Sequence, residues 1–468
     1  MRVPHHIIPY ASLPRIFFMK NQNTDFTQGG ISRHLVRFSL PLFMANLLQS
    51  LYGVVDMLVV GRIVGDTGLT AISNASMISF IINSFSIGLT MGGTVLAAQY
   101  KGAGDVRSQR EAIGTLFSMS ILLSIVITLV AALAYHPIFI ALKVPAEAMR
   151  ETCDYMRIIV LGTICTFGYN AVCSILKGMG DSRSPLLFVG IATVVNIILD
   201  ILLVGPLGLG TKGAAYATVI AQGTSCVVAV LHMRRQRSMF DFRWESFRIR
   251  MDMLKELLRI GLPSAIQMVV VNISYLLVTG MLNVYGTGIV AASGIGLKVN
   301  TFAAMPCWAI GQTVTAMVSQ NMGAKDTDRI RRIVKTGLVV NLMATGVTVL
   351  LVQVFATQII SMFNPSSPEA IKTGVMYLRI CCSVNSLVYA AMYTFDAFAI
   401  GIGTATLALA NSLLDSVVVR LFLSWSLSIG AGMGFLGIYV AQALSPVLPA
   451  LVGASYFMYG RWRRKSAP

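Results

Sequence analysis

The chain has 468 residues, 55% of them hydrophobic and only 12% charged, with a mean hydropathy of +0.73 and a formal net charge of +17. Soluble globular chains carry about 25% charged residues, so a soluble enzyme of this size is excluded, and the apolar content equally excludes intrinsic disorder. What remains is an all-α polytopic membrane protein. Its positive excess then records which loops face the cytoplasm rather than affinity for nucleic acid.

Residues 1–34 form a polar, mixed tail without the apolar core of a signal peptide. Met19-Lys20-Asn21-Gln22 looks like a bacterial start, so Met1 and Met19 are both candidate first residues. Apolar runs follow. A hydrocarbon core about 30 Å thick needs about 20 apolar residues per helix, and twelve runs meet that length. Six lie in an N-lobe, 35–233, near 36–61, 71–98, 112–135, 155–176, 186–205 and 213–233. A linker, 234–256, leads to a C-lobe, 257–459, with runs near 257–282, 289–318, 335–360, 375–400, 406–427 and 434–459. A basic tail, 460–468, closes the chain.

The two lobes repeat. Leu35-Val36-Arg37-Phe38-Ser39-Leu40-Pro41 resembles Leu257-Leu258-Arg259-Ile260-Gly261-Leu262-Pro263. Gln99-Tyr100-Lys101-Gly102-Ala103-Gly104-Asp105 resembles Gln320-Asn321-Met322-Gly323-Ala324-Lys325-Asp326, and Tyr155-Met156-Arg157-Ile158 resembles Tyr377-Leu378-Arg379-Ile380. The offsets are 222, 221 and 222. Six helices per copy give both copies the same orientation, a parallel repeat of the kind transporters use.

With both termini placed in the cytoplasm, 27 of the 36 Lys and Arg fall inside, five outside, and four within or at the ends of helices. That bias sets the orientation. The seven cysteines form no CxxC pair, and all but Cys153 sit in apolar runs as small core residues. No His, Cys or carboxylate cluster has the spacing of a metal or catalytic centre, so no cofactor and no enzymatic activity are expected.

A carboxylate at mid-membrane costs about 2.5–3.5 kcal/mol on insertion scales. Four acids nevertheless lie inside helices: Asp56 and Asp200 in the N-lobe, Asp396 and Asp415 in the C-lobe. The buried bases Lys298 and Arg420 are in the C-lobe too, so Lys298, Asp396, Asp415 and Arg420 are expected to form structural ion pairs. The N-lobe acids have no base in their part of the membrane core. Such a pair should hold a proton or bind a cation, because desolvation and mutual repulsion disfavour the doubly charged state. Asn196 and Asp200 share one helix face at i,i+4, as do Tyr52 and Asp56, with Gln49 one turn below Tyr52. Thr218 can add a hydroxyl. These are hard oxygen ligands, suited to Na⁺ or H⁺.

The sequence resembles the multidrug and toxic compound extrusion (MATE) family, from about Gly30 to Tyr459. The resemblance rests on Ser39-Leu40-Pro41, Val55-Asp56, Gly88 to Gly93 with Ala97-Ala98-Gln99, Gly102-Ala103-Gly104-Asp105 and Lys177-Gly178-Met179-Gly180-Asp181. It implies two six-helix bundles around a central cavity in a bacterial plasma membrane. It also implies export of amphipathic, cationic compounds coupled to inward H⁺ or Na⁺. In the branch with an acidic N-lobe site, the DNA-damage-inducible type, the cation site matches Asp56, Asn196, Asp200 and Thr218, with the Ala214 carbonyl as a further ligand. Gln49 and Tyr52 match cavity-lining positions. Another branch carries a Glu on the seventh helix and an Asp early in the tenth; here the seventh has no acid, and Asp396 falls later. A monomer is expected. The alternative is a flippase of lipid-linked oligosaccharides or peptidoglycan precursors from the same superfamily, whose members often carry more helices and several cavity arginines.

Overall fold

The computed structural model describes residues 24–235, 239–363, 368–460 and 462–463. Met1, Met19 and most of the basic tail lie outside them. The first half comprises α1 (Ile31–Ile63), α2 (Asp66–Ala103), α3 (Val106–Ala141), α4 (Ala146–Leu161), α5 (Thr163–Gly178), α6 (Arg183–Val204) and α7 (Gly210–Arg235). The second comprises α8 (Met251–Leu282), α9 (Thr287–Gly323), α10 (Thr327–Val354), α11 (Ala356–Phe363), α12 (Pro368–Cys381), α13 (Val384–Gly401) and α14 (Ala405–Leu413), followed by α15 (Phe422–Trp425), α16 (Phe435–Leu444) and α17 (Val447–Tyr459). The chain is helical around α15 as well, but with the wider π winding, over Leu414–Leu421 and Ser426–Gly430.

Among the described residues ten helical segments are long and apolar enough to cross a membrane, or twelve if each of two bent pairs is one span. The bent pairs are α4 with α5 and Ile371–Cys381 with α13, each turned by 46°. They occupy equivalent places in the two repeats. The sequence predicts one continuous run at each, 155–176 and 375–400. The break was hidden because a bend at Gly162 or Ser383 leaves the apolar content of the run unchanged. Large apolar side chains stay exposed on outer faces, for instance Leu129 and Leu133 on α3 and Val347 and Leu350 on α10. Uncovered apolar surface on long apolar helices is what contact with lipid requires.

The motif shared at 102–105 and 323–326 is a helix junction. Gly104 (φ 71°) ends α2 in the left-handed region and Lys325 (φ 59°) follows the end of α9 in the same way. Asp105 Oδ1 then accepts from Ser108 N at 3.0 Å, and Asp326 Oδ1 from Arg329 N at 2.8 Å, capping α3 and α10.

At this end, which also carries the linker, the halves interlock. Leu257, Ile260 and Ala265 of α8 join a core built on α2, α3 and α5. Leu35, Phe38 and Leu42 of α1 join the core of α9, α10 and α13. At the opposite end the two remaining cores each draw on one half alone. The described part of the linker packs too: Phe240, Phe242 and Phe247 cluster on Phe117 of α3, and the Ser118 hydroxyl donates to the Phe247 carbonyl. The molecule is therefore fastened at one end and divided at the other.

Candidate functional site

The first candidate site is made by α1, α6 and α7, which pack side by side. On α6 the buried positions Thr193, Asn196, Asp200 and Val204 recur at helical spacing, while Val194, Ile198 and Ile201 face outward. The apolar majority thus turns to lipid, and the amide and carboxylate turn inward. On α7 the buried residues Ala214, Ala215, Ala217 and Ala221 are small. They let α7 approach α6 closely enough to bring Thr218, one turn beyond Ala214, to the acids.

Asn196, Asp200 and Ala214 are fully buried, and Asp56 and Thr218 nearly so. Thr218 Oγ1 donates to Asp56 Oδ2 at 3.3 Å. The Asp200 and Asn196 side chains adjoin the same carboxylate. Yet Asp56 Oδ1, both Asp200 oxygens and both amide atoms of Asn196 have no hydrogen-bond partner among the described residues. No ion pair among the described residues includes either acid. Buried polar atoms left unpaired cost about 1–3 kcal/mol each, and charged ones more. Orphaned carboxylate and amide oxygens converging with a hydroxyl fit a cation or proton.

Tyr52 is half-buried beside Asp56, Thr218 and Gln222. Gln49 is exposed on α1. Sequence reasoning missed two neighbours. Tyr155 is buried against Asp56, Tyr52 and Thr218, and Gln222 Oε1 accepts from Thr166 Oγ1 at 2.6 Å. The i,i+4 spacing from Thr218 would have found Gln222; Tyr155 was read only as a mark of the repeat.

The second feature is a cavity of about 590 Å³ in the second half, closed on one side by α2. Phe80, Tyr275, Lys298, Trp308, Tyr389 and Arg420 are among its walls, and no carboxylate is. Gln49, Tyr52, Asp56 and Asp200 do not line it. The resemblance implies cationic compounds; among the residues that line this cavity there is no carboxylate to face one.

The expected structural ion pairs are half present. Arg420 Nη2 donates to Asp415 Oδ2 at 2.7 Å, with both side chains buried. Five residues of separation would splay them on an α-helix; the π winding of Leu414–Leu421 brings them to one face. The other two residues of that set, Lys298 and Asp396, form no ion pair among the described residues, which corrects the expectation for them. Asp396 Oδ1 accepts from Asn411 Nδ2 at 2.7 Å instead. Lys298 projects from α9 into the cavity and makes no ion pair among the described residues. Helical spacing gives no information on which face of a neighbouring helix a lone base will meet.

Twelve potential spans in two repeated halves, a buried acidic site in one and a drug-sized cavity in the other define a membrane transport protein. The MatE family profile matches residues 41–202 and 263–426, and the chain belongs to that family, whose members are cation-coupled antiporters. It is 27% identical over 449 residues to the "Probable multidrug resistance protein YoeA" of Bacillus subtilis, covering 92% of this chain and 94% of that protein. The "Probable multidrug resistance protein NorM" of Thermotoga maritima is 23% identical over 447 residues, covering 93% and 94%. A solved outward-facing multidrug resistance MATE family transporter superposes with a TM-score of 0.89 at 22% identity, covering 96% of this chain and 100% of that one.

Proposed function

We propose that the protein exports amphipathic compounds by alternating access, coupled to inward movement of H⁺ or Na⁺ through the Asp56–Asp200 site. The observation that carries the reading is the set of orphaned buried atoms on Asp56, Asn196 and Asp200 in a pocket without a base. A cation entering between the carboxylates removes their repulsion and supplies the missing partner. Thr218 holds Asp56 from the α7 side, and the Ala214 carbonyl one turn earlier is a further ligand. This is the arrangement expected of the family branch with an acidic N-lobe site.

Charge neutralisation changes how α1 packs on α6 and α7. Because α1 also packs on α9 of the other half, its repacking can bias the lobes relative to each other. Gly53, three residues before Asp56 on α1, has no neighbouring atom where a side chain would project, which leaves room for that movement. Both termini and the linker belong to the cytoplasmic side on the 27-to-five distribution of bases. The interlocked end is then the cytoplasmic one, and the divided end opens outward. The protein works as a monomer in a bacterial plasma membrane.

The test is efflux of a dye, ethidium (a cation) and separately fluorescein (an anion), from vesicles under an imposed proton gradient, then a sodium gradient, for wild type and Asp200→Asn at equal expression. The variant is expected to lose gradient-driven efflux. Wild-type rates in the variant would remove the N-lobe site from the mechanism.

A further inference from the structure

We propose that the second-half cavity binds amphipathic compounds in which an anionic group is attached to an aromatic ring system, with Lys298 as the partner of the anion. The proposal names a substrate class for the efflux reading and rests on that reading only where transport is concerned.

The cavity is large enough: about 590 Å³ lies within the range of about 300–1,000 Å³ typical of small-molecule sites. Its charge is one-sided. Lys298 and Arg420 contribute to the walls and no Asp or Glu does. Asp415, which pairs with Arg420, stands behind it outside the cavity, and Asp396 is held by Asn411 away from Lys298. The Lys298 ammonium therefore has no counter-charge among the described residues, while its side chain remains exposed to the cavity. A cationic ligand would meet repulsion there; an anionic one completes the pair.

Arg420 extends the same preference one layer deeper. It is 4% exposed, and only Nη2 reaches Asp415. Its Nε and Nη1 have no acceptor among the described residues, and its guanidinium lies 4.4 Å from the centre of the Tyr275 ring. A donor group with two unanswered N–H directions behind a ring that itself lines the cavity is suited to an anion that enters past Tyr275. The apolar part of a ligand finds Trp308 and Tyr389, fixed by a hydrogen bond from Trp308 Nε1 to the Tyr389 hydroxyl at 3.2 Å. Phe80 of α2 faces them from the other half. Ring stacking supplies affinity and Lys298 supplies the sign of the charge.

The experiment is equilibrium binding to the purified full chain in detergent, followed by fluorescence polarisation at pH 8. Two probes share a xanthene framework and differ in charge: fluorescein, an anion, and rhodamine 6G, a cation. Fluorescein is expected to bind wild type more tightly than rhodamine 6G. Lys298→Gln should weaken fluorescein binding about tenfold, as expected for a lost ion pair in a partly desolvated site, and leave rhodamine 6G unchanged or tighter. Lys298→Arg should retain fluorescein binding. Lys298 makes no ion pair among the described residues, so the variants should keep the wild-type melting temperature. Tighter binding of rhodamine 6G by wild type would overturn the proposal. So would fluorescein binding that is insensitive to Lys298→Gln. No ion gradient is present in this measurement, so its failure leaves the coupling site standing, and loss of gradient-driven efflux in Asp200→Asn leaves this site standing.

Discussion

Gly102 of α2 lies directly against the carbonyl of Gln320 on α9, and its repeat partner Gly323 lies in the same way against the carbonyl of Gln99. A methyl group at either position would collide with backbone that cannot rotate away. The two contacts are one contact seen twice, related by the offset of 221 residues, and they close the end at which the halves interlock. Overpacking of this kind costs about 1–3 kcal/mol. Gly323→Ala is therefore expected to shift the population away from the closed state by roughly 5- to 150-fold. Alkylation of Gln312→Cys on α9, where Gln312 Oε1 accepts from Lys177 Nζ of the other half at 3.3 Å, should quicken by a comparable factor in inside-out vesicles of a cysteine-free background. Unchanged alkylation would show that this contact is not a gate.

A second fastening lies across the same end. Thr24 N donates to the Gly180 carbonyl at 3.1 Å, and the Lys101 ammonium donates to the Thr24 carbonyl at 2.8 Å, both in the first half. Five residues on, the chain belongs to the second half. Arg329 Nε donates to the Phe26 carbonyl at 3.0 Å, and Arg329 Nη2 to the carbonyls of Gln28 and Gly29 at 2.8 Å each. Phe26 itself is fully buried. Arg329→Gln should release this strap. Hydrogen bonds to a charged group contribute about 1.5–3 kcal/mol, so the melting temperature in detergent should fall, and limited proteolysis should cut ahead of α1 sooner than in wild type. Equal proteolysis rates would assign the strap no part in holding the end closed.

What could be read from the sequence follows a physical division. The acidic site was legible because Asn196 and Asp200 are polar exceptions, one turn apart, in a helix that is otherwise largely apolar. A single helix contains that information. The strap was not legible, since Arg329 binds backbone carbonyls some 300 residues away, and any sequence presents carbonyls. The interlocked cores were not legible either. The predicted division at 234–256 marks the repeat in the chain, whereas α1 and α8 each pack with the opposite half at the linker end. Lys298 was assigned an acid partner because a buried base needs one; the cavity that lets it stay unpaired is made by five or more helices together.

The Asp415–Arg420 pair depends on a backbone irregularity, and its energetics should show that. Breaking a buried pair by removing one partner costs about 3–5 kcal/mol, because the other charge is left uncompensated, whereas replacing both can be close to neutral. Asp415→Asn alone and Arg420→Gln alone should both lower the melting temperature markedly. The double variant should recover most of the loss. Additive losses in a double-mutant cycle would mean that the two side chains act separately.

Asp396 gives the opposite expectation within the same half. Its partner is the amide of Asn411, at 2.7 Å, and its other oxygen accepts nothing. Asp396→Asn keeps the shape and removes the charge. A flipped amide on either side can rebuild the single hydrogen bond. No base loses a counter-ion, so the penalty that makes Asp415→Asn costly is absent. Melting temperature should therefore change by far less than for Asp415→Asn, and gradient-driven dye efflux should persist. Loss of efflux at unchanged stability would reveal a second coupling carboxylate in the C-terminal half, acting alongside Asp56 and Asp200.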